Sequence, residues 1–195
     1  MVLDKIMLKK LTVILILLSP LTWVKASEAE WQSNIAESRL SFAPSFEGLP
    51  INGGFNQFSV SYSTLSNGQP ASLLVKVVIG SVDLSNEDLN QAVQAVDWFD
   101  TETYPQAIFS SQNIVADSSG NDFLATGTLT LKGAEKRVEV PFKWRDLGQG
   151  KASMAGELIL GRSDFAIGTG EWASGDQIGL AVRVWFDVLL VSDHD

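Results

Sequence analysis

The chain contains no cysteine and a single histidine, His194, beside its last residue. Without cysteine there is no disulfide staple, no thiolate nucleophile and no thiolate metal site. With one histidine in a polar tail, Ser-His-Asp and Cys-His arrangements lack a base or a nucleophile. The acidic residues follow no EF-hand spacing. Basic residues are also scarce: 14 Lys and Arg stand against 23 Asp and Glu, for a net charge of −9. That balance argues against nucleic acid and anionic membrane surfaces as partners. The apolar run from Leu11 to Leu18 falls short of the roughly 20 residues that span a bilayer.

That run does have a reading. Lys5, Lys9 and Lys10 precede it, Ser19-Pro20 breaks it, and Val24-Lys25-Ala26 offers a cleavage site before Ser27. This is the layout of a secretory signal peptide. No cysteine follows it, so a lipoprotein anchor is not expected. We therefore expect residues 1–26 to be a leader and 27–195 a single exported domain. The leader carries four Lys and one Asp, so the remainder is more acidic still. A domain of that length can bury a core without staples.

What the chain has in quantity is alternation. Phe123-Leu124-Ala125-Thr126-Gly127-Thr128-Leu129-Thr130-Leu131 and Val138-Glu139-Val140-Pro141-Phe142-Lys143-Trp144 alternate apolar and polar residues. Period two marks a strand with one hidden and one wet face. Near the C-terminus Ile178, Leu180, Val182, Val184, Phe186, Val188 and Leu190 share a face, as do Leu73, Val75, Val77 and Ile79 earlier. Turn clusters such as Asn67-Gly68-Gln69-Pro70, Ser118-Ser119-Gly120-Asn121 and Gly148-Gln149-Gly150 separate these runs. The reading is all-β, with strands near 31–35 and 39–43, 52–64, 71–82, 106–116, 122–132, 135–146, 151–161 and 177–191. This spacing fits an antiparallel sandwich or barrel. Phe55 falls opposite Phe58 and Val60 by parity, so strand 52–64 should bend or bulge. One short helix is expected across 86–96, with Ser85 as N-cap, Asp88 three residues on, and Leu89, Val93 and Val96 at helical spacing.

A search for chemistry yields one carboxylate pair. Asp164 and Glu171 lie in a glycine-bearing long loop near 162–176, and two carboxylates can serve acid–base catalysis on a glycan or lipid. The competing reading is a turn cap and a solvated or Arg162-paired acid, and nothing else in the loop prepares a catalytic pair. The aromatic residues can fill a core or line a cavity, and their number does not decide between the two; a filled core would leave a stress-related interaction protein without a ligand.

Taken in order along the chain, several blocks resemble the YceI-like family of exported lipid-binding proteins. They are Ser38-Arg39-Leu40-Ser41-Phe42, Gly53-Gly54-Phe55-Asn56-Gln57-Phe58 and Ser81-Val82-Asp83. The most specific is Trp98-Phe99-Asp100-Thr101-Glu102-Thr103-Tyr104-Pro105-Gln106-Ala107-Ile108-Phe109-Ser110-Ser111. Ala125 to Gly133, Val138, Val140 and Arg162-Ser163-Asp164-Phe165-Ala166-Ile167-Gly168 complete the pattern over roughly 31–191. The resemblance implies an extended eight-stranded antiparallel barrel of lipocalin-like shape. It implies an apolar channel holding a polyisoprenoid or similar long-chain amphiphile, a carrier role without catalysis, and a periplasmic address in a Gram-negative bacterium. No cofactor beyond that ligand and no metal is implied, and pairing of two copies stays open. Two positions depart from the family's habit. Many members carry histidines in the early strand and around the helix, whereas here Glu37 precedes Ser38 and the helix has none, and Trp98-Phe99 stands where a Phe-Phe pair is usual.

Resemblance and alternation together assign the apolar lining. It comprises Phe42, Phe55, Leu73, Val75, Val77, Phe99, Phe109, Phe123, Leu129, Leu131, Val140, Phe142, Leu158, Phe165, Ile167, Trp172, Val182, Val184 and Phe186. Arg39 and Arg162, with Arg183 behind them, are the candidates for a headgroup contact.

Overall fold

Alternating side chains leave each strand with one face that must be hidden, and closing the sheet on itself hides all of them at once. The computed structural model, described for residues 29–118 and 120–192, solves the problem this way. The expected leader, residues 1–26, and His194 lie outside the described residues.

Strand β1 has two parts, Ala29–Ser33 and Arg39–Ala43, separated by a 3₁₀ turn at Ile35–Glu37. Strand β2 also has two, Gly53–Phe55 and Phe58–Thr64. The break at Asn56-Gln57 is the expected irregularity, and it lets Phe55 and Phe58 both face inward despite their odd spacing. Strand β3 runs Pro70–Val78 and resumes at Val82–Asp83 after a 3₁₀ turn. The remaining strands are β4 (Gln106–Ala116), β5 (Asp122–Leu131), β6 (Ala134–Gly148), β7 (Lys151–Gly161) and β8 (Ala181–Ser192).

Each strand pairs antiparallel with the next, and β8 returns to β1 through Trp31↔Ser192 and Ser33↔Leu190. The result is a closed, eight-stranded, up-and-down barrel. Its registers are long: β7 and β8 stay paired from Lys151↔Val191 to Gly161↔Ala181. Gly127 allows one close approach. A Cβ there would lie 2.3 Å from the Ser110 carbonyl oxygen, at the point where the β4–β5 register shifts. Lys132-Gly133 makes the two-residue turn between β5 and β6, with φ of 48° and 73°.

Helix α1 is shorter than expected, at Glu87–Ala92. Its N-cap is Asn86, whose side chain accepts from the Leu89 N–H at 3.0 Å. Ser85 is not the cap. It sits at φ 56°, with its N–H donated to Asp83 at 2.8 Å. Because the helix ends at Ala92, Val96 leaves the helical period and is 68% exposed, while Val93 turns inward.

Candidate functional site

The barrel interior divides into a packed end and an open one. At the end near the β2–β3, β4–β5 and β6–β7 hairpins, aromatic rings fill the tube. Trp144 lies 5.1 Å edge-on from Trp31 and 4.8 Å from Tyr62, and Phe142 stacks on Phe123 at 5.2 Å. Leu190, Met154 and Val188 are buried in the same cluster, the last two where the plug meets the cavity. Burial pushes the Tyr62 phenol up to about 12.

Beyond this plug lies a cavity of about 240 Å³ whose wall is apolar throughout. Leu73, Val75 and Val77 of β3, Phe109 of β4, Leu129 and Leu131 of β5, and Val182, Val184 and Phe186 of β8 line it. These are the inward positions of their strands, two residues apart, so the alternation itself builds the wall.

The far end is roofed by two segments, residues 84–105 with α1 and residues 162–180. Arg162 organises the second. Its side chain is 4% exposed and all five guanidinium N–H groups are used. Nε donates to the Gly179 carbonyl at 3.1 Å, and Nη1 to those of Ile167 and Gly168 at 2.7 and 2.9 Å. Nη2 donates to the carbonyls of Trp172 and Ile178. Gly168 is required here, since at φ 74° a Cβ would fall 2.2 Å from Nη1. Burial lowers the pKa of the guanidinium from its ordinary value, yet it remains the cation. Lys132 Nζ ties the two roof segments together, donating to Val96 and Ala166 carbonyls at 2.8 Å each. Gly168 and Thr169 N–H groups both donate to the Asp97 carbonyl.

Residues 31–190 match the YceI-like domain. The chain belongs to the YceI-like family. Protein YceI of Escherichia coli O17:K52:H18 is 30% identical over 143 residues, covering 69% of this chain and 72% of that protein. The crystal structure of Burkholderia cenocepacia BcnA superposes with a TM-score of 0.75 at 33% identity, over 80% of this chain and 98% of that one. A polyisoprenoid binding domain from Saccharophagus degradans has the same fold, with a TM-score of 0.68 at 17% identity over 83% of this chain and 98% of that one.

Within this YceI-like barrel, sixteen of the nineteen expected lining residues surround this cavity, and Phe123, Phe142 and Trp172 do not. Phe123 and Phe142 point inward but belong to the aromatic plug. Trp172 lies on the roof, its ring 5.7 Å from that of Trp98, which takes the inner place. Arg162 borders the cavity, but its N–H groups are committed to carbonyls, which leaves none for a headgroup. Arg39 is exposed on the outside of β1. Arg183 is outside as well, paired with Glu157 and stacked over Trp185. Asp164 and Glu171 are exposed and neither borders the cavity. Leu40, Phe58, Val60, Ile79, Leu160 and Val188, not among the expected lining residues, also form the wall. Leu40, Ile79, Leu160 and Val188 sit two residues from a named lining position, so the same alternation could have found them. Met154 shares that parity, four residues before Leu158 on β7, whereas Trp98 lies in no strand and carries no such signal.

Proposed function

We propose that this YceI-like protein is a binding and carrier protein, not an enzyme, that holds a polyisoprenoid or similar long-chain amphiphile in its barrel. The observation that carries the reading is the wholly apolar cavity inside a closed barrel. A prenyl tail in water is costly, at about 0.8 kcal/mol per methylene-sized unit, and a dry apolar tube removes that cost. The volume of about 240 Å³ lies just below the usual range for small-molecule sites, so it suits a slim chain better than a bulky ring system. The structural likeness to a polyisoprenoid binding domain supports the same ligand class. The basic-then-apolar start of the chain and its relatives in Gram-negative bacteria support export to the periplasm.

Native mass spectrometry of protein purified from a bacterial periplasm tests this reading. A bound lipid mass lost on organic extraction is the expected result. Protein that stays ligand-free after incubation with geranylgeraniol would sink it and favour a filled-core interaction protein. Leu129→Asp or Val182→Asp places a charge in the apolar wall and should abolish binding while the barrel still folds.

A further inference from the structure

The barrel wall has a weak place, and it is neither end. β1 and β2 are paired at Ala29–Gln32 with Ser61–Thr64 and again at Ser41–Phe42 with Gly53–Gly54, but the ladder is interrupted between. Two features open this seam. On its other side, five residues of β1, Asn34 to Ser38, stand opposite only Val188 and Leu189 of β8, so β1 bulges. β2 is drawn the other way, toward β3: Asn56 N–H donates to the Ser81 carbonyl and Gln57 N–H to Ser81 Oγ, both at 3.0 Å.

The seam forms a crevice of about 370 Å³ on the flank of the barrel. Leu40, Phe55 and Phe58 border both this crevice and the apolar cavity, so the partition is one layer of side chains thick. The rim is polar, with Arg39, Ser41, Asn52, Asn56 and Asp83. Stacked rings fill one end of the tube, and roof segments tied by Lys132 and Arg162 cover the other.

We infer that the ligand enters through this seam and leaves its polar end there, with the tail in the cavity and an uncharged, hydrogen-bonding head in the crevice. This rests on the carrier reading above. The charge of the rim selects the head. Arg39 and Asp83 cancel, and the other groups are hydroxyls and amides that pair with a hydroxyl or carbonyl. The Ser85 N–H and then the Asn56 side chain hold the Asp83 carboxyl below its ordinary value, so it stays an anion and opposes a phosphate.

The test uses geranylgeraniol, geranylgeranyl diphosphate and a geranylgeranyl chain carrying a nitroxide at its head. Trp185 borders the crevice and Trp98 borders the cavity under the roof. Nitroxide quenching of tryptophan fluorescence should be lost in Trp185→Phe and kept in Trp98→Phe. Asn56→Trp, or Ser41→Trp if the first melts early, should slow uptake several-fold. The alcohol should bind more tightly than the diphosphate. Quenching lost instead in Trp98→Phe, with uptake accelerated by Lys132→Ala and untouched by the crevice variants, puts the entrance at the roof and overturns the inference while the carrier reading stands. Tighter binding of the diphosphate overturns the uncharged head. Failure of the unaltered protein to take up any of the three probes removes both readings.

Discussion

The two ends of this barrel are closed by different physics. The plug is made of rings in contact: Phe123 on Phe142, Tyr62 on Trp144, Trp31 edge-on to Trp144. Its stability is burial and dispersion, and opening it would expose several large apolar groups at once. The roof is held by two cations that grip backbone carbonyls, Arg162 within one segment and Lys132 between two. Those bonds are directional, and water can replace the exposed Lys132 bonds at small net cost. One end is therefore a packed floor, and the other is a fastened cover over the cavity.

The largest effect should come from Arg162. Arg162→Ala frees five carbonyls and empties the centre of the roof loop. With bonds to a charged group worth roughly 2 kcal/mol each, and water recovering part of the loss, the variant should lose about 5 kcal/mol in chemical denaturation. Arg162→Lys should rescue little, because an ammonium has three donors and no planar fork. Phe142→Ala comes next. The ring is 3% exposed, and its removal should cost about 4 kcal/mol through lost contact and the cavity left behind. The two variants separate the ends functionally. Removing the cover in Arg162→Ala should add a second exit beside the seam and quicken release of a bound prenyl probe, whereas Phe142→Ala should leave release unchanged, at temperatures where both remain folded. Equal acceleration in both would erase the distinction between floor and cover.

Much of this architecture was legible in the chain. Period-two alternation located the strands and their inward faces, because one hidden face per strand is what closure demands. Depth along the barrel was not legible. Phe123 and Phe142 obey the same alternation as Leu129 and Val140, and only the register of β5 against β6 shows which pair falls at the floor. The roof was legible in its residues and not in its bonding. Arg162 reaches carbonyls five to seventeen residues away, and no local pattern announces a side chain whose partners are all backbone. The helix cap failed by one residue for a nearby reason. Asp83 captures the Ser85 N–H and bends the chain, so the helix begins from Asn86 instead.

The smallest prediction sharpens the floor itself. Tyr62 is 3% exposed, and burial raises its pKa from 10.0 to about 12. A phenol whose folded pKa is raised binds its proton more tightly in the folded state. Its contribution is fully present below pH 10 and is lost as pH rises from there toward 12. Two units correspond to about 2–3 kcal/mol, withdrawn over that window. The folded protein should accordingly resist phenolate formation at Tyr62 until near pH 12, and stability measured by urea should fall with pH across the window. Tyr62→Phe keeps the ring in the plug and removes the proton, so its stability should decline less over the same range. If Tyr62 titrates near 10 in the folded protein instead, water reaches the floor, and the contrast between a dry plug and a fastened roof fails at its first premise.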